Sequence, residues 1–372
     1  MKKAENPRRQ FLGNVRRAVV KVGASVLDEL PVARLRALAS DLALLRDGGI
    51  EVVIVSSGSI GMGMSRLDLK RRPRQMPLLQ AAAAVGQVEL MATYEDALRA
   101  HRIPTGQVLL TCADLESPEH FLRLRHTLMS LLDYGVVPVV NENDSVAVEE
   151  IVGSDNDMLA ARLPRLVEAD LLVMLTAAEG IYAASPRKGG EVIALVTEID
   201  ALANRISEGI SRGRAQRSLA SKVRAAQMAA ADGVPTLVAS GIRPGVLSNM
   251  LDDEMIGTLL LPSRLRRSRK QWIAEDLAPR GALQVTGDAH RALVEGHRSL
   301  QAAGVDRTEG GFGVGDVVRL LDPAGSEFAR GLVSHSADDL QQVRGKDPLE
   351  MEKILGFRHS DEVVRRDDLV TL

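Results

Sequence analysis

The stretch 136–161, VVPVVNENDSVAVEEIVGSDNDMLAA, decides how this chain is read. A β-branched run, 136–140, ends abruptly in Asn141-Glu142-Asn143-Asp144. A second polar cluster, Asp155-Asn156-Asp157, then leads into a helix-like segment. An unbroken apolar run of this length reads as a strand buried on both faces, the kind found in parallel sheets. In such sheets ligands bind beyond the carboxyl ends of the strands, where these polar residues stand. Turn chemistry and one helix cap account for one or two short polar residues. They do not account for six Asn and Asp residues in two clusters.

The rest of the chain repeats the pattern. RAVVKVG (17–23), EVVIVSSGSIGMG (51–63), TGQVLLT (105–111), DLLVMLT (170–176) and VPTLVAS (234–240) read as buried strands. Between them lie amphipathic stretches such as PVARLRALASDLALLRDGG (31–49), closed by Gly48-Gly49 as a helix C-terminus. Alternation of this kind predicts an α/β domain with a mostly parallel sheet sandwiched by helices. The pattern changes near residue 262. PSRLRRSRK (262–270) is Pro-led and basic, and short β-runs with Gly- and Asp-rich turns follow it. The expected division is an α/β domain over 1–262, a basic linker over 263–270 and a small β-rich barrel over 271–372.

The chain has 372 residues, 45% of them hydrophobic, and a formal net charge of −2. That composition supports folded cores and excludes a disordered chain. Near-neutral charge and 2% aromatic content argue against general nucleic-acid binding and leave little surface for stacking bases. The basic N-terminus has no signal-peptide core behind it, and no run reaches the ~20 apolar residues of a membrane span. One cysteine, Cys112, rules out an internal disulfide framework and a Cys-rich zinc site, which fits a reducing cytoplasm. It reads as a small buried hydrophobe.

Four segments that follow strands carry chemistry. Lys21 leaves the first strand beside Gly23, an arrangement that places an ammonium over a phosphate while the backbone N–H groups approach it. A solvated lysine at a strand end is the plain alternative. Ser56-Ser57-Gly58-Ser59 forms a strand-to-helix turn whose amides suit an anion, or equally an ordinary Ser cap. In the opening stretch, Asp144 and Asn156 can accept from and donate to a polar substrate such as an amino acid, and Asp157 can hold lysines in place or sit near a metal. Lys222, read as lying in the first turn of a helix, opposes the helix dipole, a misfit that a bound phosphate relieves.

Together with QAAAAVGQVELM (80–91), VLLTCADL (108–115), FLRLRHTL (121–128) and MLTAAEGIY (174–182), these segments resemble the amino-acid kinase family over nearly the whole chain. Within it they are most similar to the branch that phosphorylates the side-chain carboxylate of glutamate. The C-terminal region, from GALQVTGDAHRAL (281–293) onward, resembles a PUA domain, a small RNA-associated barrel. The resemblance implies that Lys21 contacts the transferring phosphoryl group and that Ser57, Asp144 and Asn156 bind glutamate. It implies that Asp157 orients the lysines and that Lys222 sits on the phosphates from the opposite side. Gly23, Thr176, Ala177 and the segment Gln216, Arg217, Ser218, Leu219, Ala220, Ser221 would line ATP. Mg²⁺ would arrive with the nucleotide and not on protein ligands.

The implied product is γ-glutamyl 5-phosphate, the first intermediate of proline synthesis. Proline is then implied as a feedback inhibitor, glutamate-5-semialdehyde dehydrogenase as a partner, and a homo-oligomer, dimer or tetramer, as the assembly. A carboxylate nucleophile is already ionised at neutral pH, which agrees with the absence of histidine from the four segments. Two departures from the family pattern fall on the nucleotide side. Thr176-Ala177 stands where the family has Thr-Asp, and Gln216–Ser221 stands where it has a Thr-Gly-Gly-Met loop. Arg212, Arg214 and Arg217 crowd that segment and could replace lost backbone contacts to phosphate. Two other classes therefore remain open: a glutamate or proline sensor without efficient phosphoryl transfer, and an RNA-binding regulator acting through the C-terminal domain and its basic linker.

Overall fold

A computed structural model describes residues 7–27, 31–147, 156–184, 190–208, 214–250, 256–263, 278–296, 298–356 and 360–372. Apart from Ser263, the expected basic linker lies outside these residues, as do Asp155 and Arg212.

The chain divides into two compact units, Met1–Cys112 with Thr127–Arg266, and Ala113–His126 with Arg267–Leu372. In the first, eight strands form one sheet: β1 (Arg17–Val22), β2 (Glu51–Ser56), β3 (Thr105–Leu110), β4 (Val137–Glu142), β5 (Leu171–Thr176), β6 (Leu195–Val196), β7 (Thr236–Ser240) and β8 (Thr258–Leu260). Their order is β3-β4-β2-β1-β5-β7-β8-β6, and every pairing is parallel except β7 with β8. The helices are α1 (Pro7–Leu12), α2 (Ala24–Leu27), α3 (Pro31–Asp47), α4 (Ser59–Arg66), α5 (Met76–Arg99), α6 (Pro118–Asp133), α7 (Asn156–Val167), α8 (Ile199–Glu208), α9 (Arg214–Ala231) and α10 (Val246–Asn249).

Ala18, Val20 and Val22 of β1 pack into one core with Leu35, Leu38, Leu42 and Leu45 of α3 and Leu90 and Tyr94 of α5. Side chains alternate along a strand, so Val19 and Lys21 point to the other face, where α7 packs against β1. Both faces are covered, which is why the strands read as continuous apolar runs. Arg17 and Lys21 are the charged residues of β1 on the α7 side; Arg17 stands at the amino end, and Lys21, near the carboxyl end, is carried by that parity to the site.

Two glycines bring α4 against α5. A Cβ on Gly63 would lie 1.7 Å from the Ala82 carbonyl oxygen, and one on Gly86 1.8 Å from that of Ser59. Gly58, with φ of 110°, precedes α4 in the left-handed region that favours glycine. These glycines hold the Ser57–Ser59 turn close to α5.

The second unit is β-rich, with β9 (Gly281–Val285), β10 (Leu300–Gln301), β11 (Val305–Gly310), β12 (Val317–Leu321), β13 (Glu327–Val333) and β14 (Glu362–Thr371). They form a six-stranded sheet, order β10-β14-β13-β12-β9-β11, and among the described residues its edge strands β10 and β11 are not paired with each other. The small barrel is thus a half-barrel. Leu122 packs with Val317, Leu332 and Val370. Arg125, buried, lies 3.5 Å from the buried carboxylate of Asp368, and His126 lies 3.3 Å from it. Those contacts explain why Ala113–His126 groups with the C-terminal residues. Cys112, expected to be buried, is half-exposed at the start of the 3-10 turn Cys112–Leu115.

Candidate active site

The carboxyl ends of β4, β2, β1 and β5 bring the sequence-predicted residues together. At the centre, Asp157 is fully buried in the first turn of α7. Its Oδ1 lies 2.5 Å from Lys21 Nζ and its Oδ2 accepts from Lys222 Nζ at 3.1 Å. Burial pushes the Asp157 carboxyl up, but Lys21 and Lys222 outweigh that and hold it below its ordinary value. Burial pulls the Lys21 pKa down, opposed by Asp157 and reinforced by Lys222. Two ammonium groups against one carboxylate leave one net positive charge in a water-poor pocket, and that excess favours an anion. A side chain on Gly23 would come within 3.0 Å of the Leu175 carbonyl oxygen and 3.7 Å of Lys21 Nζ, so glycine leaves the lysine tip clear.

The second half of the site is built of amides and hydroxyls. Asn156, next to Asp157, donates from Nδ2 to Ser57 Oγ at 3.1 Å and to Asn141 Oδ1 at 3.2 Å. Asn141 is fully buried and donates to Gln87 Oε1 at 2.7 Å. Asp144 accepts from Ser59 Oγ at 2.8 Å. Ser57, Asp144 and Asn156 therefore belong to one neighbourhood. Asn141 and Gln87 are members that sequence reasoning did not name as site residues. Asn141 could have been found as the first polar residue within a fully buried strand. Gln87 could have been found as an amide two helical turns from Gln80, on the same side of an alanine-rich stretch of helix.

The nucleotide-side residues are less gathered. Thr176 ends β5, where its carbonyl accepts from Gly241 N at 2.8 Å, and Ala177 is exposed after it. The segment Gln216–Ser221 is not a loop, and Lys222 is not in a first helical turn. Helix α9 begins at Arg214 and runs through all seven residues. Gln, Arg, Ser, Leu and Ala carry no backbone break, so without the glycines the helix extends by two turns. One consequence is specific: Ser218, one turn before Lys222, accepts from its Nζ at 3.2 Å. Arg217 is exposed, and the Arg214 side chain is not among those described.

Among the described residues no group of three or more His, Cys, Asp and Glu side chains could hold a metal ion. Asp157, the one acid at the centre, has both oxygens engaged by lysines. The described donor set does not fit a protein-held Mg²⁺. No helix among the described residues is long and apolar enough to cross a membrane.

Residues 16–240 match the model of the amino acid kinase family. The chain belongs to the amino acid kinase family. Residues 281–355 match the PUA domain. Among amino acid kinase relatives, the glutamate 5-kinase of Myxococcus xanthus is 43% identical over 98% of each chain. That of Moorella thermoacetica is 41% identical over 98% of each. The glutamate 5-kinase of Thermus thermophilus is 41% identical over 96% of this chain and 97% of its own. A solved N-acetylglutamate synthase from Neisseria gonorrhoeae, with coenzyme A and N-acetyl-glutamate, covers 68% of this chain and 62% of its own at a TM-score of 0.51 and 18% identity, a likeness of fold alone.

Proposed function

We propose that this amino acid kinase transfers the γ-phosphoryl group of ATP to the side-chain carboxylate of L-glutamate, giving γ-glutamyl 5-phosphate, the first step of proline synthesis. The observation that carries the reading is the buried Lys21–Asp157–Lys222 arrangement directly beside the Asn156–Ser57 amide cluster. Its full-length likeness to glutamate 5-kinases supports the same reading.

Phosphoryl transfer to a carboxylate brings negative groups together, so catalysis is chiefly positioning and charge neutralisation. Lys21 neutralises charge on the transferring group. Lys222 acts on the phosphates from the other side, and Asp157 fixes both ammonium groups. Ser57, Asp144 and Asn156 hold glutamate. Thr176, Ala177 and the exposed side of α9, including Arg217, border the nucleotide. Mg²⁺ arrives as the ATP complex and neutralises phosphate charge when bound.

The product is an acyl phosphate, reactive toward water, which favours prompt consumption by a reductase such as glutamate-5-semialdehyde dehydrogenase. Proline would act at the glutamate site, and the working form would be a homo-oligomer in the cytoplasm. Residues 1–262 would form the catalytic domain and 271–372 the PUA domain. The deciding assay is glutamate-dependent ADP release from Mg-ATP, with and without proline, with the acyl phosphate trapped by hydroxylamine. Release that does not depend on glutamate, or that equals the Lys21→Ala background, refutes the reaction.

A further inference from the structure

The amide cluster has a polarity, and the backbone dictates it. The N–H of Glu142 donates to Asn141 Oδ1 at 2.9 Å. A backbone N–H cannot become an acceptor, so the Asn141 carbonyl is pinned to that side and its Nδ2 must face the other way. There it meets Gln87 at 2.7 Å, and Gln87 must present Oε1. Asn141 Oδ1 also faces Asn156 at 3.2 Å, so Asn156 must present Nδ2, which it shares with Ser57 Oγ.

Asn156 is left with one atom to place. Its Oδ1 is buried and has no hydrogen-bond partner among the described residues. A buried acceptor without a donor is costly, and such an atom at a site points to a group that a ligand supplies. Resting on the reading above, that group can be named. At neutral pH glutamate carries two carboxylates, which only accept, and one α-ammonium, its only donor. The triphosphate of ATP likewise offers acceptors.

We propose that Gln87 is a positioning residue which, by saturating Asn141 Nδ2, holds the Asn141 amide that the Glu142 N–H has oriented and so keeps Asn156 Oδ1 placed to receive the α-ammonium of the substrate. Gln87 acts through Asn141: its Oε1 is taken up there, while its Nε2 is buried with no hydrogen-bond partner among the described residues. Its Oε1 saturates Asn141 Nδ2, and this keeps Asn141 Oδ1 turned toward Asn156. Without that acceptor Asn141 carries an unpaired buried donor and is held by the Glu142 N–H alone, and the constraint it places on Asn156 Nδ2 weakens. The site then loses its preference for an amino acid over the same diacid without the amine.

The test compares L-glutamate with glutarate, which keeps both carboxylates and lacks the ammonium, by calorimetric binding to the full chain. Gln87→Met and Gln87→Leu both delete the acceptor at similar volume, and whichever gives a cooperative thermal transition is used. Either should weaken glutamate about tenfold or more, the scale of a hydrogen bond to a charged group, and leave glutarate nearly unchanged. Gln87→Glu, which keeps an acceptor toward Asn141, should retain most of the preference. Equal weakening of both ligands, or an unchanged ratio in a folded Gln87→Met or Gln87→Leu protein, overturns the proposal and assigns Gln87 a packing role. Kinase activity with an unchanged ratio overturns this inference alone. An inactive wild type that still shows the shift in ratio counts against the reaction and supports the relay.

Discussion

The two halves of the site solve different problems with different chemistry. Around Asp157, three charged groups are buried against one another, and the arrangement holds only because each charge has a partner. Around Asn141, the groups are neutral, and what holds them is direction: each amide is oriented by the one before it, back to the Glu142 N–H. The charged half supplies field, which acts on charge that develops during a reaction. The amide half supplies geometry, which acts on a ligand already formed. Damage to the first should therefore appear in kcat, and damage to the second in substrate affinity.

The largest effect is expected at Lys21. Lys21→Ala should lower kcat by roughly 10²–10³-fold, the scale of a preorganised electrostatic contact, with glutamate affinity unchanged in calorimetry. A matching fall in affinity would erase the distinction between the halves. The pH profile sharpens the same point. The folded pKa of Lys21 lies below the ordinary 10.5, chiefly through burial, so its ammonium is lost at a lower pH than that of a free lysine. The kcat should fall as pH rises through that value, and Lys21→Arg should lack this limb, because guanidinium stays charged. For stability the signs are opposite at the two partners. The folded state binds fewer protons at Lys21 than the unfolded state does, so this group adds stability as pH rises between its folded pKa and 10.5. Asp157, held below 3.8, adds stability that is fully present above 3.8 and is lost as pH falls through its folded value. Denaturant titrations of wild type and Asp157→Asn across acid pH should show the wild-type advantage disappearing only below that point.

The next effect belongs to the amide half. Asp144→Ala should weaken glutamate binding by about 1.5–3 kcal/mol, the scale of a hydrogen bond to a charged group, while kcat at saturating glutamate changes far less. Unchanged affinity in calorimetry would remove Asp144 from the glutamate site. The smallest effect is expected on α9. Arg217 is exposed, so its charge is screened. Arg217→Ala should raise the KM for ATP by only about two- to fivefold and leave glutamate affinity alone. A much larger rise would mean that this stretch, helical as it is, has taken over the work of a glycine loop.

The strands, their mostly parallel order and the clustering of polar residues at strand ends were legible in the sequence, because burial on both faces writes itself as unbroken Val, Ile and Leu. Lys21, Ser57 and Asp144 were legible for the same reason, as polar residues at or just past the end of a buried strand, and Asn156 and Asp157, which open α7, were legible as a polar cluster before an apolar helix. The extent of α9 was not. Reading Lys222 as an early helical residue borrowed the position of a glycine loop, whereas Gln216–Ser221 contains no residue that stops a helix, and the segment continues the one begun at Arg214. The placement of Ala113–His126 with the C-terminal residues was not legible either, since Leu122 and Arg125 read from sequence as one more amphipathic turn.

What the sequence determined by itself was composition along the strands and, through the alternation of side chains, the face of β1 from which Lys21 projects. What only the tertiary structure decided was partnership. Asp157 and Lys222 are 65 residues apart, and Asn141 and Gln87 are 54 apart. Those pairings depend on where α7 and α9 pack and on how closely Gly63 and Gly86 let α4 approach α5. Local propensity acts over a few residues, whereas a buried hydrogen bond or ion pair is fixed by the packing of whole elements, and a single sequence carries no direct record of that packing.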